Sequence, residues 1–346
     1  MFFQGLLSGV FFLLGVMPSS RTVALSTQQN FQPSELTAPD KSDLYNKALQ
    51  IFTKSDRCSN VVQINSQFLA LGHGAYLTGV GGSRAKVPSY VELTSVQNPG
   101  AKTLLYTSDA VVAIEMIGNS LYVLTYSGLE LWDLSTSQKI QTYETYNINR
   151  ELNYKEHALG MTVYKDKIII AHGRLGFSVF DTTTKKLIYQ SRLVPEQRPF
   201  ESQAVDVVVA GGKAIFAMDN FTMVRENEKP AFRGFVIVDL STYKVEKKLE
   251  GLDPGARALS LVNDQLYVSY DGPYWKFSLD QVVTSKANSV LTPANLIWKY
   301  AVQGRPVGKP AVLGSVLLSC FKKPPAQAGP GALYVDGAVV LDPKTW

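Results

Sequence analysis

The sequence predicts an all-β fold, a six-bladed β-propeller of four-stranded blades over residues 60–346, and three observations carry that reading. Hydrophobic triplets recur at Ala75-Tyr76-Leu77, Leu121-Tyr122-Val123, Ile168-Ile169-Ile170, Ala214-Ile215-Phe216, Leu266-Tyr267-Val268 and Val316-Leu317-Leu318, with centres 46–52 positions apart. A turn pair precedes each at one offset: Gly72-His73, Gly118-Asn119, Lys165-Asp166, Gly211-Gly212, Asn263-Asp264 and Leu313-Gly314. Alternating strands end in Asp-x-x-Thr at Asp133–Thr136, Asp181–Thr184, Asp239–Thr242 and Asp342–Thr345. Gly and Asn accept the positive φ of tight hairpins, and an Asp or Thr side chain can bond the backbone of its own turn. Four short strands at this period make one propeller blade.

Taken in chain order, Phe2–Val16 is apolar and uncharged, and Arg21 is the first ionisable side chain. Small residues near Ala24 read as a cleavage site, so residues 1–24 are a signal peptide, with an uncleaved anchor as the alternative because no Lys or Arg precedes the run. Residues 25–59 are a polar linker and a short helix at 42–54, where Leu44, Ala48, Ile51 and Phe52 share one helical face. Blades are expected to start near 66, 110, 158, 204, 256 and 307. Residues 60–64 are left over as an orphan strand, expected to pair with 338–342 and close the ring as the outer strand of the last blade.

Composition narrows the function classes. With 45% hydrophobic and 18% charged residues the chain has ample core, and 34 basic against 29 acidic side chains is too balanced for a nucleic-acid binder. Two cysteines exclude a disulfide scaffold. Their even number argues for a Cys58–Cys320 bond in an exported chain, but placing Cys58 before an outer strand sets the two at opposite faces, and the reading is against the bond.

The segments GLELWDLST (128–136), GFSVFDTTT (176–184) and GFVIVDLST (234–242) resemble the bacterial extracytoplasmic propellers with LVIVD-type repeats, and more loosely the WD-repeat (WD40-like) and quinoprotein-like propellers. The resemblance implies an exported repeat protein, periplasmic or extracellular. It specifies fold rather than activity. The proline-containing turn of LVIVD repeats and the regular tryptophans of quinoprotein blades are missing here.

Innermost strands alternate large apolar residues with small ones, and Glu115 and Asp206 break that pattern. A buried carboxylate must be paired, solvated or bound, so a basic neighbour or channel water is expected. A divalent metal on Glu115 and Asp206 is the alternative, and otherwise no cofactor is expected. Loops before strand one and between strands two and three share a face, which collects the long connections at 79–90, 219–234 and 322–332. The entry residues on that face include Gln203 and Lys309, and its candidate binding residues are Asp109, His157, Arg174, Arg257, Tyr274 and Trp275, since long loops on a rigid scaffold carry binding sites and exposed aromatics beside Arg suit an interface. The motifs HExxH, CxxC, a Walker loop and, in the mature chain, G-x-S-x-G are missing from the sequence, and neither His157 nor His172 shows a serine or cysteine partner in it. The expected function is an exported, non-enzymatic binding or scaffold propeller. It acts as a monomer, with a protein or envelope glycan as partner and no transmembrane span after processing. The alternative is a metal-dependent hydrolase or lyase, lactonase-like, with its site at the channel mouth.

Overall fold

The computed structural model describes residues 61–74, 76–78, 84–86, 88–146, 158–194, 202–219, 232–251, 256, 258–269, 274–291, 305–313, 316–323 and 335–341, together with 46, 47 and 50. β1 (Val61–Ile64) and β2 (Phe68–His73) are followed by a two-stranded ribbon of β3 (Tyr76–Thr78) and β4 (Arg84–Lys86), then by β5 (Tyr90–Ser95) and β6 (Lys102–Tyr106). β1, β2, β5 and β6 make the first four-stranded sheet. The second contains β7 (Val111–Ile117), β8 (Ser120–Thr125), β9 (Gly128–Asp133) and β10 (Gln138–Tyr143). The third contains β11 (Gly160–Tyr164), β12 (Lys167–Ala171), β13 (Phe177–Asp181) and β14 (Lys186–Ser191). The fourth contains β15 (Gln203–Ala210), β16 (Lys213–Asp219), β17 (Gly234–Asp239) and β18 (Lys244–Glu250). Two three-stranded sheets follow: β19 (Ala258–Val262), β20 (Gln265–Ser269) and β21 (Tyr274–Ser278), then β22 (Arg305–Leu313), β23 (Val316–Lys323) and β24 (Val335–Leu341).

Every sheet is an antiparallel meander, and the core lies between successive sheets. Phe177 of the third sheet meets Phe216 of the fourth at 5.2 Å, and Phe235 of the fourth meets Phe277 of the fifth edge-on at 5.2 Å. Central strands are therefore covered on both faces: in β9 and β17 every residue but the terminal Asp is buried. Each such Leu, Ile or Phe contributes about 1.5–3 kcal/mol by leaving water. This stacking of twisted sheets around shared inner strands is a β-propeller.

The hairpin chemistry read from the sequence is present. Gly118, Lys165, Gly211, Gly212, Asn263 and Asp264 all take positive φ in the two-residue turns between first and second strands. The outer Asp residues staple their turns. Asp133 accepts the amides of Ser135 (2.7 Å) and Thr136 (3.2 Å), Asp181 those of Thr183 and Thr184, and Asp239 those of Ser241 and Thr242. The Ser135 and Ser241 hydroxyls, which also donate to Asp133 and Asp239, together with these amides hold those two carboxyls below the usual aspartate value, and the Thr184 amide and hydroxyl do the same for Asp181.

The expected ring of six four-stranded blades, closed by an N-terminal strand, is overturned. Among the described residues only four sheets have four strands, two have three, and one is a ribbon. In the fifth sheet, β21 ends in Ser278 where β9, β13 and β17 end in Asp. Without that turn staple the chain runs on into a helical turn, α1 (Leu279–Thr284), which buries Val282. Residues 288–291 then lie beside β18, with Asn288 N to Lys248 O at 2.8 Å and Leu291 N to Glu250 O at 2.7 Å, and so cover the outer edge of the fourth sheet.

Closure is different as well. β1 pairs with β2, Val61 opposite Gly72 and Ile64 opposite Leu69, so it is the innermost strand of the first sheet and not the outer strand of the last. It packs between β22 and β7, and the ring closes through inner-strand packing. The register error has a local cause. The β1–β2 turn is built on Asn65, whose Oδ1 accepts the amides of Gln67 (2.8 Å) and Phe68 (2.7 Å), while Gly72-His73, expected as the turn, lies inside β2. Of the expected helix at 42–54 only Asn46, Lys47 and Gln50 are described, as helical. The expected signal peptide and Cys58 lie outside the described residues. Among those described, no helix is long and apolar enough to cross a membrane.

Inner strands approach closely at Gly160. A Cβ there would sit 2.9 Å from the Asp206 Cα and closer still to its carboxylate. Gly160→Ala is expected to destabilise the protein by about 2 kcal/mol through overpacking of β11 on β15, read as a lower urea midpoint with unchanged slope.

Candidate functional site

Two places carry the polar chemistry of the described structure: the ring axis and the face bearing the irregular loops. At the axis, Asp206 on β15 is 2% exposed. Its Oδ1 accepts the Val207 amide and its Oδ2 the Leu259 amide of β19, both at 2.8 Å. Lys309 on β22 extends across the ring to donate to the carbonyls of Met161 on β11 (3.0 Å) and Val207 (2.6 Å), with Asp206 Oδ1 3.5 Å away. One side chain thus joins the last sheet to the third and fourth, and its position across the axis makes it a pin.

Glu115 on β7 completes the cluster. Gln63 Nε2 on β1 donates to its Oε2 at 2.8 Å, and Gln63 Oε1 in turn accepts the Ile64 amide at 3.1 Å, which fixes the amide's orientation. Depth in the protein raises the Glu115 carboxyl to about 7; Lys309 and the Gln63 bond oppose the rise, and Asp206 adds to it. Burial likewise raises Asp206 against the pull of Lys309 and the two backbone amides. Both inner-strand acids therefore have protein partners. The basic neighbour is Lys309, which sequence position had placed among the loop-face entry residues.

The loop face holds the other candidates. Asp109 is a tie within its own sheet: Oδ1 accepts the Ala110 amide and Oδ2 the Ser127 hydroxyl, both at 2.8 Å. Trp275 is 5% exposed and packs in the core with Phe235 and Phe277, so it is no exposed stacking platform; it shares one face of β21 with Phe277, and that face lies against the fourth sheet. Arg174 lies in the tight turn between β12 and β13 and lines a small cavity with Arg192. Tyr274 begins β21 opposite Ser269. His157 and Arg257 lie outside the described residues.

His172 has the serine partner that its sequence did not reveal. Its Nε2 is 2.9 Å from Ser178 Oγ, and its ring also bonds the Thr145 carbonyl. A carbonyl only accepts, so the ring N–H faces Thr145 and Nε2 accepts from Ser178. His172 is 1% exposed and Ser178 fully buried, which makes the pair a clamp of the turn rather than a base and nucleophile open to substrate. Burial drives the His172 pKa down to about 3. The unfolded chain therefore binds a proton near pH 6.5 that the folded one refuses. Stability is full above pH 6.5 and falls by up to about 4–5 kcal/mol as pH drops toward 3. His172→Leu is expected to lose that part of the acid sensitivity, read from urea midpoints at pH 4 and 7.

Glu130 escaped the sequence reading altogether. It is fully buried on β9, accepting the Ser108 amide (2.8 Å) and hydroxyl (2.6 Å) and Trp132 Nε1 (3.1 Å), with Lys139 at 3.5 Å. The two bonds to Ser108 fix the loop entering β7, and Trp132 on β9 and Lys139 on β10 complete the carboxylate's partners. The signal was the spacing: Glu130 and Trp132 are two apart on one strand and so share a face.

No family model and no curated protein matches the sequence. Solved structures do match. BamB from Moraxella catarrhalis is similar at 12% identity over 82% of this chain and 76% of that one, with a TM-score of 0.44. The computationally designed Ika8 protein is similar at 10% identity over 78% and 84%, with a TM-score of 0.41. Kuenenia stuttgartiensis hydrazine synthase is similar at 12% identity over 68% and 63%, with a TM-score of 0.44. By its own strand order and sheet packing, this chain is a β-propeller.

Proposed function

We propose that the protein is an exported, non-enzymatic binding or scaffold propeller, monomeric and acting in the periplasm or outside the cell. It meets a protein or envelope-glycan partner through its loop-rich face. The observation behind this reading is the inequality of the two faces. One has two-residue turns, at 118–119, 165–166, 211–212 and 263–264. The other has the insertion bearing β3 and β4 and the long connections β16–β17 (220–233) and β23–β24 (324–334). Tight turns offer little surface to a partner, whereas long loops on a rigid scaffold offer a great deal.

The hydrolase alternative draws on Glu115 and Asp206 meeting at the axis. The Lys309 ammonium already occupies the neighbourhood a divalent ion would need, and both acids serve internal hydrogen bonds. Cross-linking of the exported protein in its own cells tests the choice. Replacing 221–231 by a short Gly-Ser link is expected to abolish one discrete cross-linked species, and replacing Lys165-Asp166 by Asn-Gly is expected to spare it. Equal retention by both variants contradicts the reading, as does a calcium- or zinc-stimulated lactone hydrolysis that Glu115→Gln removes.

A further inference from the structure

The outer strands of the four-stranded sheets differ in how their edges are protected. In β10, β14 and β18 the ladder to the neighbouring strand skips the third residue, Ile140, Ile188 and Glu246 respectively, so each strand carries a bulge at the same place. A bulge bends and twists an edge away from further pairing. β18 is also covered by residues 288–291. β6 has neither device: its five residues pair with β5 without a shift, and among the described residues no strand lies on its outer side. We propose that β6 is a strand-addition site, which takes an extended segment of a protein partner as a fifth strand of the first sheet; that the partner is a protein rests on the function proposed above.

Three features of β6 lead there. First, backbone groups point outward. The bonds Ser95 N to Ala101 O (3.1 Å) and Thr107 N to Ser89 O (3.0 Å) bracket the strand. Alternation between them turns Thr103 and Leu105 toward β5, and the N–H and C=O groups of Lys102, Leu104 and Tyr106 away from it. A polypeptide backbone presents the complementary row at the same spacing. Second, the side chains of those three residues share one face, where Leu104 is 44% and Tyr106 62% exposed. Tyr106 lies against Tyr90, with ring centroids 6.0 Å apart, and Glu92 holds Lys102 at 2.8 Å. This face selects a partner segment with an apolar residue beside Leu104 and an aromatic or β-branched one beside Tyr106. Third, the edge adjoins the loop-rich face. Tyr90, opposite Tyr106, begins β5 where the chain returns from the β3–β4 insertion. A partner on the loop-rich face therefore reaches β6 without leaving its interface. A second copy paired edge to edge over five residues would bury far less than the about 1,200 Å² of a stable interface. The fourth sheet shows the kind of occupant such an edge takes: residues 288–291 lie along β18 as a short added segment, with backbone bonds such as Glu250 N to Ser289 O at 3.0 Å.

Amide hydrogen exchange of the full-length protein, read residue by residue by NMR, tests this. The probes are the peptide acetyl-Glu-Val-Thr-Val-Thr-Val-Glu-amide, the same peptide N-methylated at every residue, and chitohexaose. The plain peptide is expected to slow exchange at Lys102, Leu104 and Tyr106 saturably and at Thr103 and Leu105 far less. The methylated peptide and chitohexaose are expected to slow none of them. Leu104→Pro removes an outward N–H that β5 does not use, so it is expected to spare the fold and abolish binding. Leu104→Lys is expected to weaken the peptide about tenfold, and Ile140→Lys on the bulged edge less than about twofold. Unchanged exchange at the three amides, or equal weakening by Ile140→Lys, overturns the proposal. Equal slowing by the methylated peptide overturns the backbone ladder, and slowing by chitohexaose alone overturns the peptide in favour of a glycan. A dimer in sedimentation that Leu104→Lys makes monomeric overturns the partner segment in favour of a second copy. If Leu104→Pro keeps the cross-linked species that the 221–231 replacement loses, this proposal falls and the loop-face reading stands. If Leu104→Pro loses that species while the loop replacement keeps it, the loop-face reading falls and strand addition stands.

Discussion

Lys309→Met is expected to lower the unfolding free energy by about 3–5 kcal/mol, the cost of removing one member of a buried, hydrogen-bonded charge pair. Met keeps the length of the side chain and its apolar contacts, so the loss isolates the ammonium. It leaves the Met161 and Val207 carbonyls without that donor and Asp206, at 2% exposure, with backbone amides alone. Adding Asp206→Asn removes the stranded charge, so the double variant is expected to be less destabilised than the sum of the singles. Urea unfolding at pH 7 measures all three, and additivity within about 0.5 kcal/mol would show that the two side chains do not act together. A surface lysine pair such as Lys102–Glu92 is the contrasting case, where loss of the charge costs about 1 kcal/mol or less.

Glu115→Gln is expected to stabilise the protein, and only on the alkaline side. The folded carboxyl titrates at about 7 against a reference of 4.5. Between those values the folded chain holds a proton that the unfolded chain has lost, so stability falls as pH rises from about 4.5 to 7 and the full cost remains above 7. That cost is about 3 kcal/mol. Gln keeps an oxygen for the Gln63 amide and carries no charge. Unfolding curves at pH 4.5 and 8 should therefore show little change at the first and a clear gain at the second. His172 acts in the opposite sense over about pH 3 to 6.5. In the natural protein the two offset each other near pH 5–6, and Glu115→Gln should uncover the His172 slope. Lys309→Met should push the Glu115 carboxyl higher still, because Lys309 is the larger of the two influences holding it down.

Much of the fold was legible because hairpins announce themselves. Gly118-Asn119, Gly211-Gly212 and Asn263-Asp264 can take the required backbone, and Asp133, Asp181 and Asp239 staple their turns with one geometry. The first unit was misread because its turn uses an Asn65 side chain in place of glycine, while Gly72 sits in a strand. That shift of phase left β1 looking like a spare strand. It also removes the argument that Cys58 and Cys320 lie at opposite faces, since Cys58 precedes an inner strand rather than an outer one. At the axis, alternation exposed Glu115 and Asp206 as misfits. Their partner could not be read in the same way, because Lys309 is more than a hundred residues from either carbonyl it meets and its reach depends on how the sheets close. Trp275 failed for a different reason. An aromatic near a loop reads as exposed, but Trp275 shares a face of β21 with Phe277, and that face packs against the fourth sheet.

Glu115, Asp206 and Lys309 form a self-satisfied pin and not a metal centre. Anomalous diffraction from crystals soaked in manganese and in calcium at pH 7.5 measures this directly. The predicted result is a Lys309 ammonium bonded to the Met161 and Val207 carbonyls, with no anomalous peak within bonding distance of either carboxylate. A manganese peak on Glu115 or Asp206, with Lys309 displaced from the carbonyls, would show a metal centre in place of the pin and favour the hydrolase.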